Sequence, residues 1–145
     1  MGNFDKKLEK FWDIFYAHEG YSKVITGLEN TLTIAIAGLV IGIIIGTFIA
    51  IVRVLPKYSR LPRVLNGFCT FYVGLFRGTP IVVQLLVTYY VALPLLDIKM
   101  TALNVCILVF GLNSGAYVSE IMRSGILSVD PGQMEAGRAL GLSYR

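Results

Sequence analysis

From Asn30 to Val52 the chain carries no charged residue at all. The 22 residues from Thr31 to Val52 span about 33 Å as a helix, against a hydrocarbon thickness of roughly 30 Å. A first membrane helix is therefore expected over about 29–52. The rest of the composition agrees: 55% of the 145 residues are apolar and only 15% are charged, with a mean hydropathy of +0.68. An ordinary soluble domain carries roughly 25% charged residues. A chain this short and this apolar has too little polar surface to coat a globule in water, which excludes a typical cytosolic enzyme and a disordered tail. Within the run, Gly38, Gly42, Gly46 and Ala50 recur every four residues and share one helix face. Small residues in that pattern let a second helix approach closely, and packing is the main attraction between helices in lipid.

Further uncharged runs set the topology. Arg53, Lys57, Arg60 and Arg63 follow the first helix without an acidic residue among them. By the positive-inside rule that loop is cytoplasmic, so the N-terminus lies outside. Pro56 and Pro62 are read as breaks in any helix through the loop. Val64–Phe76 is uncharged but too short to cross alone, and is read as an interfacial or half-buried helix. A bend is expected at Arg77-Gly78-Thr79-Pro80, then a second membrane helix over about 80–96, loosened at its end by Pro94. After an outer turn at Asp97-Ile98-Lys99, the uncharged run Met100–Ser119 gives a third membrane helix over about 100–123. Gly111, Gly115 and Ser119 repeat the four-residue step. Asn113, Ser114 and Glu120 are costly in lipid and are expected to face protein or water.

Before the first membrane helix, Phe4, Leu8, Phe11, Trp12 and Phe15 fall on one side at helical spacing, among charges that nearly cancel. Residues 1–27 are read as an N-terminal segment with a short amphipathic helix on the membrane lipid, the alternative being a poorly ordered tail. The fold expected is thus an all-α membrane protein: three transmembrane helices within a domain at 28–145, the interfacial helix, and a helix in the cytoplasmic tail. In that tail Asp130 is a good N-cap, Pro131 suits the first helical position, Gln133 sits where a capping-box partner belongs, and Gly141 is a stop signal. A helix over about 131–140 follows; at that length it is marginal alone and needs a partner surface.

Glu135-Ala136-Gly137, with Gly141 four residues on, resembles the "EAA" loop of ABC-transporter permease subunits. Arg77-Gly78-Thr79-Pro80, then Gln84, then Asn113-Ser114-Gly115-Ala116-Tyr117, Glu120 and Gly132-Gln133-Met134-Glu135-Ala136, in that order, resembles the polar amino-acid subfamily, whose members carry histidine, glutamine, glutamate or arginine. The resemblance covers about residue 27 to the end. It implies a bacterial inner-membrane importer of about five helices per permease. Two permease subunits, the same or different, form the pore, two ATPase subunits dock beneath, and an extracytoplasmic binding protein delivers the amino acid. By the same resemblance, Glu135, Ala136 and Gly141 hold the ATPase-coupling positions, with Gly132, Gln133 and Gly137 beside them. The family more often has alanine where this chain has Gly137, and it continues past an Ile-x-Leu-Pro-like end into about two more helices, so the chain is expected to be C-terminally incomplete.

No Gly-rich phosphate loop with its Lys-Ser/Thr pair is present, so no catalytic residue is expected and ATP acts only through a partner ATPase. Neither a cofactor nor nucleic acid is expected to bind. His18, Cys69 and Cys106 do not make up the ligand set of a metal site. Gln84, Asn113 and Ser114 are candidates for a translocation path, although hydrogen bonding between helices explains them equally well. Arg77 is read as a contact for a headgroup phosphate or a loop cap, ranked above a substrate contact, Glu120 with Arg123 as an i, i+3 ion pair, and the cations at 53–63 as orientation signals. Two other readings remain: a secondary transporter or channel, and a membrane anchor without transport.

Overall fold

The computed structural model describes residues 2–17, 20–55 and 60–142. His18 and Pro56 lie outside them. The described residues form helices and connecting turns with no strand. In chain order the helices are α1 (Asn3–Trp12), α2 (Gly20–Val54), α3 (Arg60–Gly78), α4 (Ile81–Leu95), α5 (Ala102–Leu127) and α6 (Pro131–Ala139). Two of them, α2 and α5, are long and apolar enough to cross a membrane. The pair α3 and α4 meets at 105° and makes a third candidate crossing only when counted as one broken span.

Several boundaries correct the sequence expectation. The first membrane helix does not begin near residue 29 but at Gly20, and runs 35 residues to Val54, about 52 Å. The uncharged run marks the hydrocarbon, whereas the helix continues beyond it because nothing between Tyr21 and Glu29 breaks it. Pro62 does not end a helix: it stands in the first turn of α3, where its missing N–H has no intrahelical partner to lose. The segment expected to cross at 80–96 is α4, which at 15 residues reaches only about 22 Å and depends on α3 for the rest. Pro80 is its N-cap rather than its first residue. Inside α4, Thr88–Ala92 widens into a π-turn just before Pro94, the residue that cannot donate back to the preceding turn.

The core is the seam between α2 and α5, which run in the same direction. Gly38, Gly42, Gly46 and Ala50 are all buried on α2, facing buried Gly111, Gly115 and Ser119 on α5. The approach is close enough to forbid side chains. A Cβ added at Gly46 would lie 2.7 Å from Val118 Cγ1 and 3.0 Å from the Gly115 carbonyl oxygen, and one at Gly111 would lie 2.7 Å from Ile41 Cγ2. Below the seam, Ile49, Val73 and Ala116 pack with Ile45, Cys69, Tyr72 and Phe76, which attaches the last turns of α3. A second cluster of Leu93, Val105 and Val109, with Ile81, Leu85 and Met100, fixes α4 to α5.

The N-terminal helix forms as expected, opened by a hydrogen bond from the Gly2 N–H to Asp5 Oδ2 at 3.0 Å. Its aromatic residues stack on those of the π-turn that follows it (Asp13–Ala17), Phe11 with Phe15 at 5.8 Å and Trp12 with Tyr16 at 5.5 Å, and Phe15 reaches Tyr21 on α2 at 6.4 Å. Phe4, Phe11 and Trp12 remain exposed.

Candidate coupling helix and the polar groups above it

Helix α6 follows α5 after three residues and is closed at both ends by its own sequence. The Asp130 carboxylate accepts the Gly132 N–H at 2.8 Å, its carbonyl accepts the Gln133 N–H at 3.0 Å, and Pro131 occupies the first position. At the other end the Leu142 N–H donates to the Gly137 carbonyl at 3.0 Å and the Gly141 N–H to that of Arg138 at 2.9 Å. This is a Schellman closure, and it requires the left-handed φ of +77° that Gly141 adopts. The expected candidates Gly132, Gln133, Glu135, Ala136 and Gly137 thus share one nine-residue helix with Gly141 just beyond it. All are exposed except Gly137, which is half-buried. Met134, Leu140 and Leu142 add exposed apolar side chains.

Above the tail, Glu120 collects three arginines. The Arg53 guanidinium donates to Glu120 Oε1, while Arg77 and Arg123 stand 3.8 and 3.9 Å from Oε2. The ion pair expected between Glu120 and Arg123 is therefore the looser contact. The primary partner arrives from the neighbouring helix α2, so Arg53 does more than orient the chain. Arg77 also lies over the Tyr117 ring at 5.3 Å, a cation–π contact on α5 rather than a loop cap. One carboxylate thereby ties α2, the end of α3 and α5 together.

Of the three path candidates, the structure brings two together. The two N–H bonds of Gln84 Nε2 are shared among the carbonyls of Phe76 (2.9 Å) and Thr79 (3.0 Å) and Thr79 Oγ1 (2.8 Å). Asn113 Nδ2 donates to the Phe76 carbonyl and to Gln84 Oε1, both at 3.2 Å. A helix that breaks inside a membrane strands carbonyls that have no water to turn to, and these amides supply the missing donors. Gln84 also borders a cleft of about 230 Å³ beside Leu75, Phe76, Thr79 and Val83. Ser114 lies apart from them, in the seam: a Cβ added at Gly42 would fall 2.6 Å from its own.

Sequence reasoning missed the pairing of Arg53 with Glu120, and it missed Tyr72, whose hydroxyl donates to the Leu112 carbonyl at 2.6 Å. The first pairing had a signal. Arg53 and Glu120 are the first charges after two uncharged runs that end on the same side, so they stand at one depth.

Residues 38–145 match the family model described as a binding-protein-dependent transport system inner membrane component. The chain is 39% identical over 132 residues to a putative glutamine transport system permease protein, GlnP, of Rickettsia prowazekii, covering 89% of this chain and 58% of that protein. It is 40% identical over 121 residues to the arginine transport system permease protein ArtQ of Bacillus subtilis, covering 83% and 53%. A crystal structure of an amino acid ABC transporter with histidines superposes with a TM-score of 0.75 at 34% identity, covering 90% of this chain and 58% of the other. The chain spans a little over half the length of these relatives. It belongs to the family of binding-protein-dependent transport system inner membrane components.

Proposed function

We propose that this chain is membrane-spanning sequence of an ABC importer permease that carries a polar amino acid across the bacterial inner membrane. The energy comes from ATP hydrolysed by a separate ATPase pair. A second permease subunit completes the pore, and an extracytoplasmic binding protein delivers the substrate. The N-terminus lies outside and α6 lies at the cytoplasmic face. The observation that carries this reading is α6 itself: a helix of nine residues, closed at both ends by local hydrogen bonds yet exposed at every residue but Gly137. A helix so short gains little from propensity and is stabilised by whatever packs on it. Its shape is held ready for a groove in a partner, and its connection through three residues to α5 makes it a handle on the membrane helices.

The test uses the intact importer in proteoliposomes. A cysteine introduced by Glu135→Cys is expected to crosslink to the ATPase subunit, and Glu135→Ala and Gly141→Asp are expected to abolish ATP-dependent uptake. Undiminished uptake in both variants, or labelling of position 135 solely from the extracytoplasmic side, would overturn the reading. Uptake that survives ATP depletion and follows an ion gradient would instead identify a secondary transporter.

A further inference from the structure

The Glu120 cluster is out of charge balance. Among its four groups three are guanidiniums and one is a carboxylate, so the cluster carries a surplus of two positive charges. Glu120 Oε1 is taken by Arg53, and Oε2 is farther from both Arg77 and Arg123, at 3.8 and 3.9 Å, than a hydrogen bond reaches. Arg53 is nearly buried, but the side chains of Arg77 and Arg123 are 43% and 35% exposed, so the surplus opens outward from the helices. The depth is equally specific. Arg53 follows the uncharged run 30–52 and Glu120 follows 100–119, so both stand at the boundary between hydrocarbon and water, where lipid phosphates lie. The Arg77 guanidinium reaches that depth from the α3–α4 corner, 3.8 Å from Glu120 Oε2. Beside the arginines, Tyr117 and, two turns back on the same face of α5, Phe110 present exposed rings toward the apolar side.

We propose that Arg77 and Arg123 form a binding site for the phosphate of an anionic phospholipid headgroup, with an acyl chain lying along Tyr117 and Phe110. Guanidinium donors match phosphate oxygens in geometry and charge, and the site's excess charge selects an anionic lipid over a zwitterionic one. This site is independent of the direction of transport and of coupling to an ATPase.

Native mass spectrometry of the protein purified in detergent and titrated with phosphatidylglycerol tests it. Phosphatidylglycerol is expected to bind about tenfold more tightly than phosphatidylcholine, whose headgroup carries a quaternary ammonium beside its phosphate that the surplus positive charge repels. Arg77→Gln and Arg123→Gln are each expected to weaken that binding by about five- to tenfold, whereas Arg63→Gln, the same charge change on exposed α3 surface, changes it by about twofold or less. Equal weakening by all three variants, or equal affinity for the two lipids, would reduce the effect to general surface charge and overturn the site. Millimolar inorganic phosphate is expected to leave the bound lipid in place, because it has no acyl chain. If it displaces the lipid fully, the site belongs to a free anion and the lipid assignment fails.

Discussion

Along the α2–α5 seam each small residue is answered by a side chain of the facing helix, and the shape depends on contacts some seventy residues apart in sequence, such as Gly46 against Val118. Helix α6 reaches its shape through hydrogen bonds that span no more than five residues, from Asp130 to Gly132 at one end and from Gly137 to Leu142 at the other. The seam is finished within the chain. The tail helix is prepared but left uncovered. The difference separates two kinds of sequence conservation that a family of this sort would need: complementarity of volume in the seam, and local capping plus a foreign surface in the tail.

The sharpest way to break this contrast is at the base of the seam. Glu120→Ala leaves Arg53 nearly buried without its carboxylate, and a destabilisation of about 3–5 kcal/mol is expected, read as loss of folded protein in detergent thermal unfolding. Glu120→Gln, which still accepts a hydrogen bond, should recover part of it. Next, Gly46→Leu drives a side chain into Val118 and the Gly115 carbonyl and is expected to cost about 1–3 kcal/mol. The same change at Gly67, with open space around it, should be near neutral in the same measurement. In the tail the effects shrink. Asp130→Ala removes the cap of α6 and should cost about 1 kcal/mol, seen as amide exchange about fivefold faster over 131–139 with the seam unchanged. Smallest, Gly137→Ala should slow that exchange by a factor of a few, since a methyl there meets only Leu142 Cδ1 at 3.9 Å and alanine favours the helix by about 0.5–1 kcal/mol. An Asp130→Ala variant that unfolds the seam would show that the two regions are not separable.

The same contrast explains what the sequence discloses. The tail helix is legible almost to the residue, at 131–140 against Pro131–Ala139, because Asp130, Pro131 and Gly141 act through neighbours in sequence. The glycine stripes disclose that two helices pack closely, because a four-residue step survives in one dimension. The partners of Arg53, Arg77 and Tyr72 do not disclose themselves, because each lies across a helix interface whose register depends on the crossing geometry. Boundaries misjudged from charge, such as the start of α2 at Gly20, fail for a related reason: charge reports the edge of the lipid, and a helix has no need to stop there.

The corner between α3 and α4 is braced against bending. A break in a membrane helix ordinarily serves as a hinge, because its stranded carbonyls can exchange partners as it flexes. Here the Phe76 and Thr79 carbonyls are held by Gln84 and Asn113, so straightening the corner would mean surrendering three donated bonds together. The two arms therefore hold their angle, and α5, which grips the corner at Asn113 and α4 again through Val105 and Val109 at Leu93, carries both with it when it tilts.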